Sequence, residues 1–181
     1  EAIESVIAQS YPKWELCIAN DASSNPEVAR ILNEFAEKDR RIKIIHRKKN
    51  GNISAATNSA LELAKGKFVA LMDHDDLLHE TALYEVAVEI NAHPDVDIIY
   101  SDEDRIDESG KRSNAYYKTD FNPELLLGQN MVSHVGVYRR SLINKIGGFR
   151  WGFEGSRDYD LTLRAWNASS NDRIRHLPAV P

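Results

Sequence analysis

Apolar residues recur along the first half of the chain as short runs separated by longer segments with helical spacing. The runs predict strands over residues 14–20, 42–46, 67–73 and 96–100. Between them, apolar positions three and four residues apart predict helices that begin near Pro26, Ser54 and Thr81. Strands that alternate with helices in this way are typical of a mostly parallel sheet with helices on both faces. We therefore predict an α/β fold.

Capping residues mark the borders of these helices. Asn25 offers a capping side chain, Pro26 suits the first turn, and Glu27 places a negative charge near the helix N-terminus. Gly66 is placed to end the next helix, which we expect over 54–65. These signals strengthen the predicted order of strands and helices.

The second half of the chain begins with a different pattern. Residues 101–123 are polar, charged and interrupted by Gly110, which predicts a hairpin or another excursion from the sheet. Further strands are predicted over 134–138 and 173–177, and further helices over 141–146 and 157–168. The sequence contains no internal repeat or linker, so we expect one domain over residues 1–181.

Composition and charge exclude several classes of protein. The 181 residues are 42% hydrophobic and 28% charged, as in globular proteins, and no apolar run approaches membrane-spanning length. A net charge of −5 argues against nucleic acid as a partner. Cys17 is the single cysteine, so no intramolecular disulfide forms, and we expect an inert, buried thiol.

Acidic residues follow two of the predicted strands. Asp21 comes after the first strand, and Asp73 and Asp75 come after the third. Ligands of open α/β sheets bind outside the carboxyl ends of the strands, and carboxylates there can hold Mg²⁺ or Mn²⁺ beside a substrate phosphate. A solvated turn followed by a helix N-terminus would also favour these acids. Position alone does not decide between the two interpretations.

Three separate blocks of sequence carry a resemblance to a known family. They are "ESVIAQSYPKWELCIANDASS", "NGNISAATNSALELAKGKFVALMDHDD" and "GGFRWGFEGSRDYDLTLRA", and together they resemble the GT-A glycosyltransferases of family 2. The segments "YSDEDRID" and "FNPELLLGQNMVSHVGVYRRSL" are similar to bacterial enzymes that build O-antigen, capsule or other surface polysaccharides. The resemblance implies the GT-A fold, a Rossmann-like sheet that binds nucleotide-diphosphate sugars.

The same resemblance implies roles for the acids at the strand ends. "ANDASS" is similar to the motif that holds the nucleotide base and ribose, which assigns nucleotide binding to Asn20 and Asp21. "DHD" resembles the DxD motif of the family. By this match Asp73 lies beside the ribose and the metal, and Asp75 binds the Mn²⁺ or Mg²⁺ that contacts the donor diphosphate.

The third block implies the catalytic base. "SRDYDL" resembles the ED block of the family, which places the base on Asp158, with Arg157 where the family usually has Glu. Asn58 resembles a residue close to the nucleotide, and Thr57 stands where an arginine is common in relatives. From spacing alone, Ser156, Asp158 and Asp160 would instead be the cap and first-turn acids of the last helix.

The implied function is that of an inverting glycosyltransferase. It would move a sugar from a nucleotide-diphosphate donor to a saccharide or lipid-linked acceptor in bacterial surface polysaccharide synthesis. We expect a cytoplasmic location, at the inner face of the membrane if segments outside this chain bring it there. We also expect that the chain lacks the first strand of the GT-A domain and its C-terminal continuation.

Two other functions fit parts of the pattern. A nucleotidyltransferase that makes nucleotide sugars also pairs an α/β sheet with acids and a metal, but it usually begins with a glycine-rich, basic phosphate loop, which this chain lacks. A non-catalytic GT-A module that binds nucleotide or partners is the second alternative. Trp151, in a glycine-rich segment, is predicted either to stack on a sugar ring or to be half-buried packing.

Overall fold

A computed structural model describes residues 1–179 as an α/β structure with three groups of strands. The first half contains α1 (Ala2–Ile7), β1 (Leu16–Asn20), α2 (Pro26–Lys38), β2 (Ile42–His46) and α3 (Asn52–Leu63). The centre contains β3 (Phe68–Ala70), α4 (Ala82–Ala92), β4 (Ile98–Ser101), β5 (Glu103–Ile106) and β6 (Arg112–Tyr116). The remainder contains α5 (Pro123–Gly128), β7 (Gly136–Arg139), α6 (Arg140–Lys145), α7 (Arg157–Asn167) and β8 (Ile174–Leu177).

The strands β1 and β2 form a parallel pair that α2 connects. Leu16 faces Ile42, and the register continues to Asn20 opposite His46. The predicted cap is present, since the Asn25 side chain accepts a hydrogen bond of 3.0 Å from the backbone N–H of Glu27. This pair ends at the loops that carry the first predicted nucleotide-binding residues.

A separate sheet of four strands has the order β3-β7-β4-β8. β8 runs parallel to β4, whereas β7 runs antiparallel to both β3 and β4. The predicted α/β class is confirmed, and the sheet is mixed because β7 runs against its neighbours. Since β7 begins at Gly136, the residues before it lie beside the loop that follows β3, where Leu71 N–H donates to the Gly136 carbonyl at 3.0 Å.

The predicted excursion after β4 is a two-stranded antiparallel hairpin of β5 and β6. Its turn is held by Asp107, whose carboxylate accepts hydrogen bonds from the backbone N–H groups of Ser109 and Lys111 at 2.9 and 3.0 Å. This carboxylate therefore closes the turn of the hairpin.

The hydrophobic core lies in the second half of the chain. Residues of β4, β7 and β8 pack against α5, α6 and α7, with Tyr100, Leu126, Ile143 and Leu161 fully buried. By contrast, α2 has no buried residue, and β2 contributes Ile42. None of the helices in the described range is both long enough and apolar enough to cross a bilayer.

The elements differ from the predictions mainly at their ends. The strand expected over 67–73 is shortened to Phe68–Ala70, because the chain bends after β3 to form a turn in which Asp76 N–H donates to the Asp73 carbonyl. The helix α5 was not predicted, although Asn122-Pro123-Glu124 repeats the start signal of α2. The Asn122 side chain caps α5 at 2.9 Å from Leu125 N–H.

Candidate active site

The loop after β3 and the segment before β7 bring together a cluster of potential metal ligands. Asp73, Asp76 and His134 each offer one ligand atom, and these atoms lie within 4.8 Å of one another. The loop is tightened by the Asp73 N–H, which donates to the Asp76 carboxylate at 3.0 Å. Carboxylate oxygen and imidazole nitrogen are both accepted by Mn²⁺, so the donor set fits a divalent cation.

Asp76 and His134 form an ion pair within this cluster. The Nδ1 atom of His134 lies 3.0 Å from an Asp76 carboxylate oxygen. The Asp76 hydrogen bond, which outweighs the effect of burial, raises the pKa of His134 to about 8. Burial opposes ionisation of Asp76, but hydrogen bonds from His134 and from the Asp73 N–H hold the pKa of its carboxyl below the ordinary value. Because a histidine must be neutral to ligate a metal, cation binding through His134 would displace this proton.

Asp75 lies outside this cluster. Its side chain is 77% exposed, and it borders a cleft of about 440 Å³ between the loop after β3 and the β5–β6 hairpin. Asp76 and His134 line the same cleft. A cation held by Asp73, Asp76 and His134 would therefore face a space that Asp75 also reaches, and the role of Asp75 as a direct ligand stays a prediction.

Arg157 joins the cluster to the N-terminal turn of α7. Its guanidinium forms an ion pair with Asp73 and contacts Asp158, with Nε 3.3 Å from a carboxylate oxygen of Asp158. Nη1 donates to the Thr57 hydroxyl of α3 at 3.2 Å. Asp73 and Asp158 thus both contact one largely buried guanidinium.

Asp21 ties β1 to the start of α3. Both of its carboxylate oxygens accept from the Gly51 N–H, at 3.0 and 3.1 Å, and Arg47 Nε lies 2.7 Å from one of them. Arg47 also donates to the Ala55 carbonyl at 2.8 Å. The carboxylate therefore holds the loop between β2 and α3 against the end of β1.

The side chains of Asn20 and Asn58 are both engaged within the protein. Asn20 accepts from the Ser23 N–H at 3.0 Å and contacts His46 Nδ1 at 3.2 Å. Asn58 makes two hydrogen bonds to the backbone of Phe149, donating to its carbonyl at 2.8 Å and accepting from its N–H at 2.9 Å. These contacts fix the surrounding loops, and nucleotide binding by Asn20, Asp21 and Asn58 stays a prediction.

A model of the family described as "Glycosyl transferase family 2" matches residues 1–147. The chain belongs to glycosyl transferase family 2. The family resemblance predicted from its three sequence blocks is thus confirmed over most of the chain.

Two curated relatives align with almost the whole chain. Uncharacterized protein y4gI of Sinorhizobium fredii is 49% identical over 99% of this chain, which corresponds to 20% of that protein. O-antigen biosynthesis protein RfbC of Myxococcus xanthus is 39% identical over 94% of this chain, which corresponds to 13% of that protein. The chain therefore spans a fifth or less of the length of these relatives.

Solved structures show the predicted GT-A fold. TarS residues 1–349 of S. aureus in complex with UDP has a TM-score of 0.78 and 23% identity, covering 98% of this chain and 53% of that one. Mannosyltransferase PcManGT of Pyrobaculum calidifontis in complex with GDP-Man and Mn²⁺ has a TM-score of 0.66 and 20% identity, covering 97% of this chain and 51% of that one.

Two residues of the candidate metal cluster were missed from the sequence. Asp76 directly follows the "DHD" segment, so its position was a usable signal. His134 lies in "MVSHVGVY", and its place beside Asp76 depends on the antiparallel pairing of β7 with β3. The backbone carbonyl of His134 also accepts from the buried Lys118 ammonium at 3.0 Å, which anchors this segment to the β5–β6 hairpin.

Other predicted features around the site are now located. Asp160 is buried, and its carboxylate pairs with Arg150 and Arg164, so it supports α7 and the loop before it. Trp151 is 71% exposed, so it is not half-buried packing; contact with a sugar stays a prediction. The His176 side chain is 7% exposed, and its Nε2 lies 2.8 Å from a carboxylate oxygen of Asp102.

Proposed function

We propose that this chain is the catalytic GT-A domain of an inverting, metal-dependent glycosyltransferase. The donor is a nucleotide-diphosphate sugar, and the acceptor is a saccharide or a lipid-linked saccharide in bacterial surface polysaccharide synthesis. The observation that carries the proposal is that Asp73 of the "DHD" segment and Asp158 of α7 both contact the Arg157 guanidinium, Asp73 at Nη2 and Asp158 at Nε. A metal-binding acid and a general base must approach one donor in this way.

The metal would be Mn²⁺ or Mg²⁺, held by Asp73 with Asp76, His134 or Asp75. The close approach of the first three ligand atoms and their oxygen-rich chemistry support this choice. PcManGT, which has the same fold, was solved with Mn²⁺. When bound, such an ion supplies a Lewis acid that offsets negative charge on the leaving diphosphate.

Asp158 is the proposed general base. The acceptor hydroxyl oxygen would form the new bond to the anomeric carbon of the donor sugar, while the bond from that carbon to the diphosphate breaks. Asp158 takes the hydroxyl proton, and the diphosphate leaves with the bonding electron pair. The Asp158 side chain is 34% exposed, so an acceptor can reach it. It lies in the first turn of α7, where the helix dipole stabilises a negative charge.

The donor is proposed to enter along the loops that follow β1 and β3. TarS was solved with UDP and with UDP-GlcNAc, which supports a nucleotide sugar as donor. Asp21 at the end of β1 would lie beside the nucleoside of the donor, and Asp73 after β3 would lie beside its diphosphate. The relationship to an O-antigen biosynthesis protein supports a surface polysaccharide as the product.

One experiment separates this function from its alternatives. The intact protein is incubated with a panel of nucleotide sugars, saccharide acceptors and Mn²⁺, and free nucleoside diphosphate is measured. Release that depends on acceptor and on Mn²⁺ is the expected result. Formation of nucleoside triphosphate from the sugar donor and added pyrophosphate would instead identify a nucleotidyltransferase. Donor binding without any turnover across the panel would favour a non-catalytic module.

A further inference from the structure

The side chain of Arg157 makes more contacts between site elements than any role in helix formation requires. It is 10% exposed and lies at the first position of α7. Its terminal nitrogens contact Asp73 in the loop after β3 and Thr57 on α3, while Nε faces Asp158. One guanidinium thus links the proposed metal ligand, the proposed base and a third helix.

The contact with Asp73 conflicts with full occupancy of the metal site. A guanidinium remains charged at every accessible pH, so it competes with a divalent cation for the same carboxylate. Asp73 and Asp158 together carry two negative charges, and Arg157 offsets one of them, so less negative charge remains for an ion that carries two positive charges. A ligand that brings negative charge would remove this conflict, because it could accept the Arg157 hydrogen bonds and release Asp73.

A diphosphate has the chemistry that this exchange needs. Its oxygens match the planar fork of a guanidinium, which binds phosphate through two parallel hydrogen bonds. Nη1 and Nη2 of Arg157 already point into the site, toward Thr57 and Asp73. The contact to Thr57 is neutral and exchangeable at small cost, so both terminal nitrogens are available to an incoming anion.

We propose that Arg157 is a positioning residue that exchanges Asp73 for the donor diphosphate. In the ligand-free protein it holds Asp73 and Asp158 together. When the donor binds, the terminal nitrogens of Arg157 take up diphosphate oxygens, and Asp73 becomes free for the cation. This inference rests on the proposed function, since it takes a nucleotide-diphosphate donor as the ligand.

If Arg157 exchanges Asp73 for the diphosphate, Arg157→Gln should change the affinities for Mn²⁺ and for a diphosphate in opposite directions. Arg157→Gln removes the competitor for Asp73, so Mn²⁺ alone should bind about three- to tenfold more tightly. The same variant loses charge-assisted hydrogen bonds to the diphosphate, so a nucleoside diphosphate in EDTA should bind about ten- to a hundredfold more weakly. A purely structural role would weaken both ligands together.

The test measures Mn²⁺ alone by electron paramagnetic resonance, and UDP, GDP, CDP and ADP in EDTA by titration calorimetry, on the intact protein. Arg157→Lys keeps the positive charge but lacks the planar guanidinium with its parallel N–H donors. Compared with Arg157→Gln, it should recover only part of the diphosphate affinity. Arg30→Gln is the matched control: it removes an exposed guanidinium of α2 that pairs with Glu27 and Glu34, and it should change either affinity by less than about twofold. Thermal unfolding of each variant checks that it is folded.

The outcomes distinguish this inference from the proposed function. Opposite shifts in Arg157→Gln support the exchange. Parallel losses, or no change, in a protein whose wild type binds a diphosphate would overturn the role of Arg157 and leave the proposed function standing. A wild type that binds none of the diphosphates, with or without Mn²⁺, would overturn both. If Arg157→Gln does not fold, Arg157→Lys decides: undiminished diphosphate affinity contradicts the exchange, and a loss with intact Mn²⁺ binding supports it.

Discussion

Replacement of Asn58 by alanine tests how the loop before α7 is held in place. The Asn58 amide makes two hydrogen bonds to the backbone of Phe149, a buried residue far away in the sequence. The preceding Gly148 has a φ of +68°, and a Cβ there would lie 2.6 Å from the Asn58 oxygen. The loop therefore fits closely against this amide.

The expected loss of stability follows from these two bonds. Each contributes about 0.5–1.5 kcal/mol, and a backbone group left without a partner costs about 1–3 kcal/mol when buried. Alanine returns about 0.5 kcal/mol through its higher helix propensity. We expect Asn58→Ala to lower the free energy of unfolding by about 2–4 kcal/mol. For a chain of this size, the melting temperature should fall by roughly 5–15 °C.

Urea unfolding followed by circular dichroism measures this change. Asn91→Ala is the control, because Asn91 is an exposed residue inside α4 and receives the same substitution. Its free energy of unfolding should stay within about 0.5 kcal/mol of wild type. If the free energies of unfolding of Asn58→Ala and Asn91→Ala differ by less than about 1 kcal/mol, the two hydrogen bonds between Asn58 and Phe149 do not stabilise the fold as expected. A stable Asn58→Ala protein with weakened nucleotide affinity would instead place Asn58 in contact with the nucleotide.

Three further substitutions test the proposed site and its surroundings. Asp76→Asn removes the charge of a proposed metal ligand and should weaken Mn²⁺ binding about tenfold or more, as measured by titration calorimetry. Glu108→Gln, in the exposed hairpin turn, should leave Mn²⁺ binding unchanged. Asp158→Asn should lower kcat about 10²–10⁴-fold with donor affinity preserved, and wild-type turnover would remove Asp158 as the base. Asp160→Asn should lower the free energy of unfolding by about 2 kcal/mol at pH 7, since it breaks the contacts to two arginines. Burial opposes ionisation of Asp160, but these arginines outweigh burial and hold the pKa of the folded carboxyl below 3.8. The stability difference between Asp160→Asn and wild type should therefore persist at neutral pH and shrink as the pH falls below 3.8. A stability difference that does not vary with pH would contradict the ion pairs.

Local signals in the sequence predicted most helices and strands. Asn25-Pro26-Glu27 marked the start of α2, and the apolar run at Ile42–His46 matched β2 at both ends. The strand after Lys67 was predicted too long because its apolar pattern continues past Ala70, while the backbone leaves the sheet to build the turn at Asp73. Periodicity does not report such a bend.

The site was predicted less completely, because its contacts join distant segments. The family motifs pointed to Asp73 and Asp158, which the fold brings to the same arginine. His134 carried no comparable motif, since its nearness to Asp76 arises from the direction of β7. The partner of Asn58 is likewise a backbone group in a remote loop, which no local pattern reveals.

The uneven distribution of the core has a consequence for amide hydrogen exchange. In the β1–β2 unit, α2 has no buried side chain, and α3 contributes only Ser54 to the buried residues of the described range. Regions with few buried contacts open locally at a lower free-energy cost than densely packed ones. Amides of this unit should thus exchange with deuterium sooner than those of β4 and β7. If the proposed donor binds at the end of β1, its nucleoside should slow that exchange, and the slowing would report donor binding even when no acceptor is known.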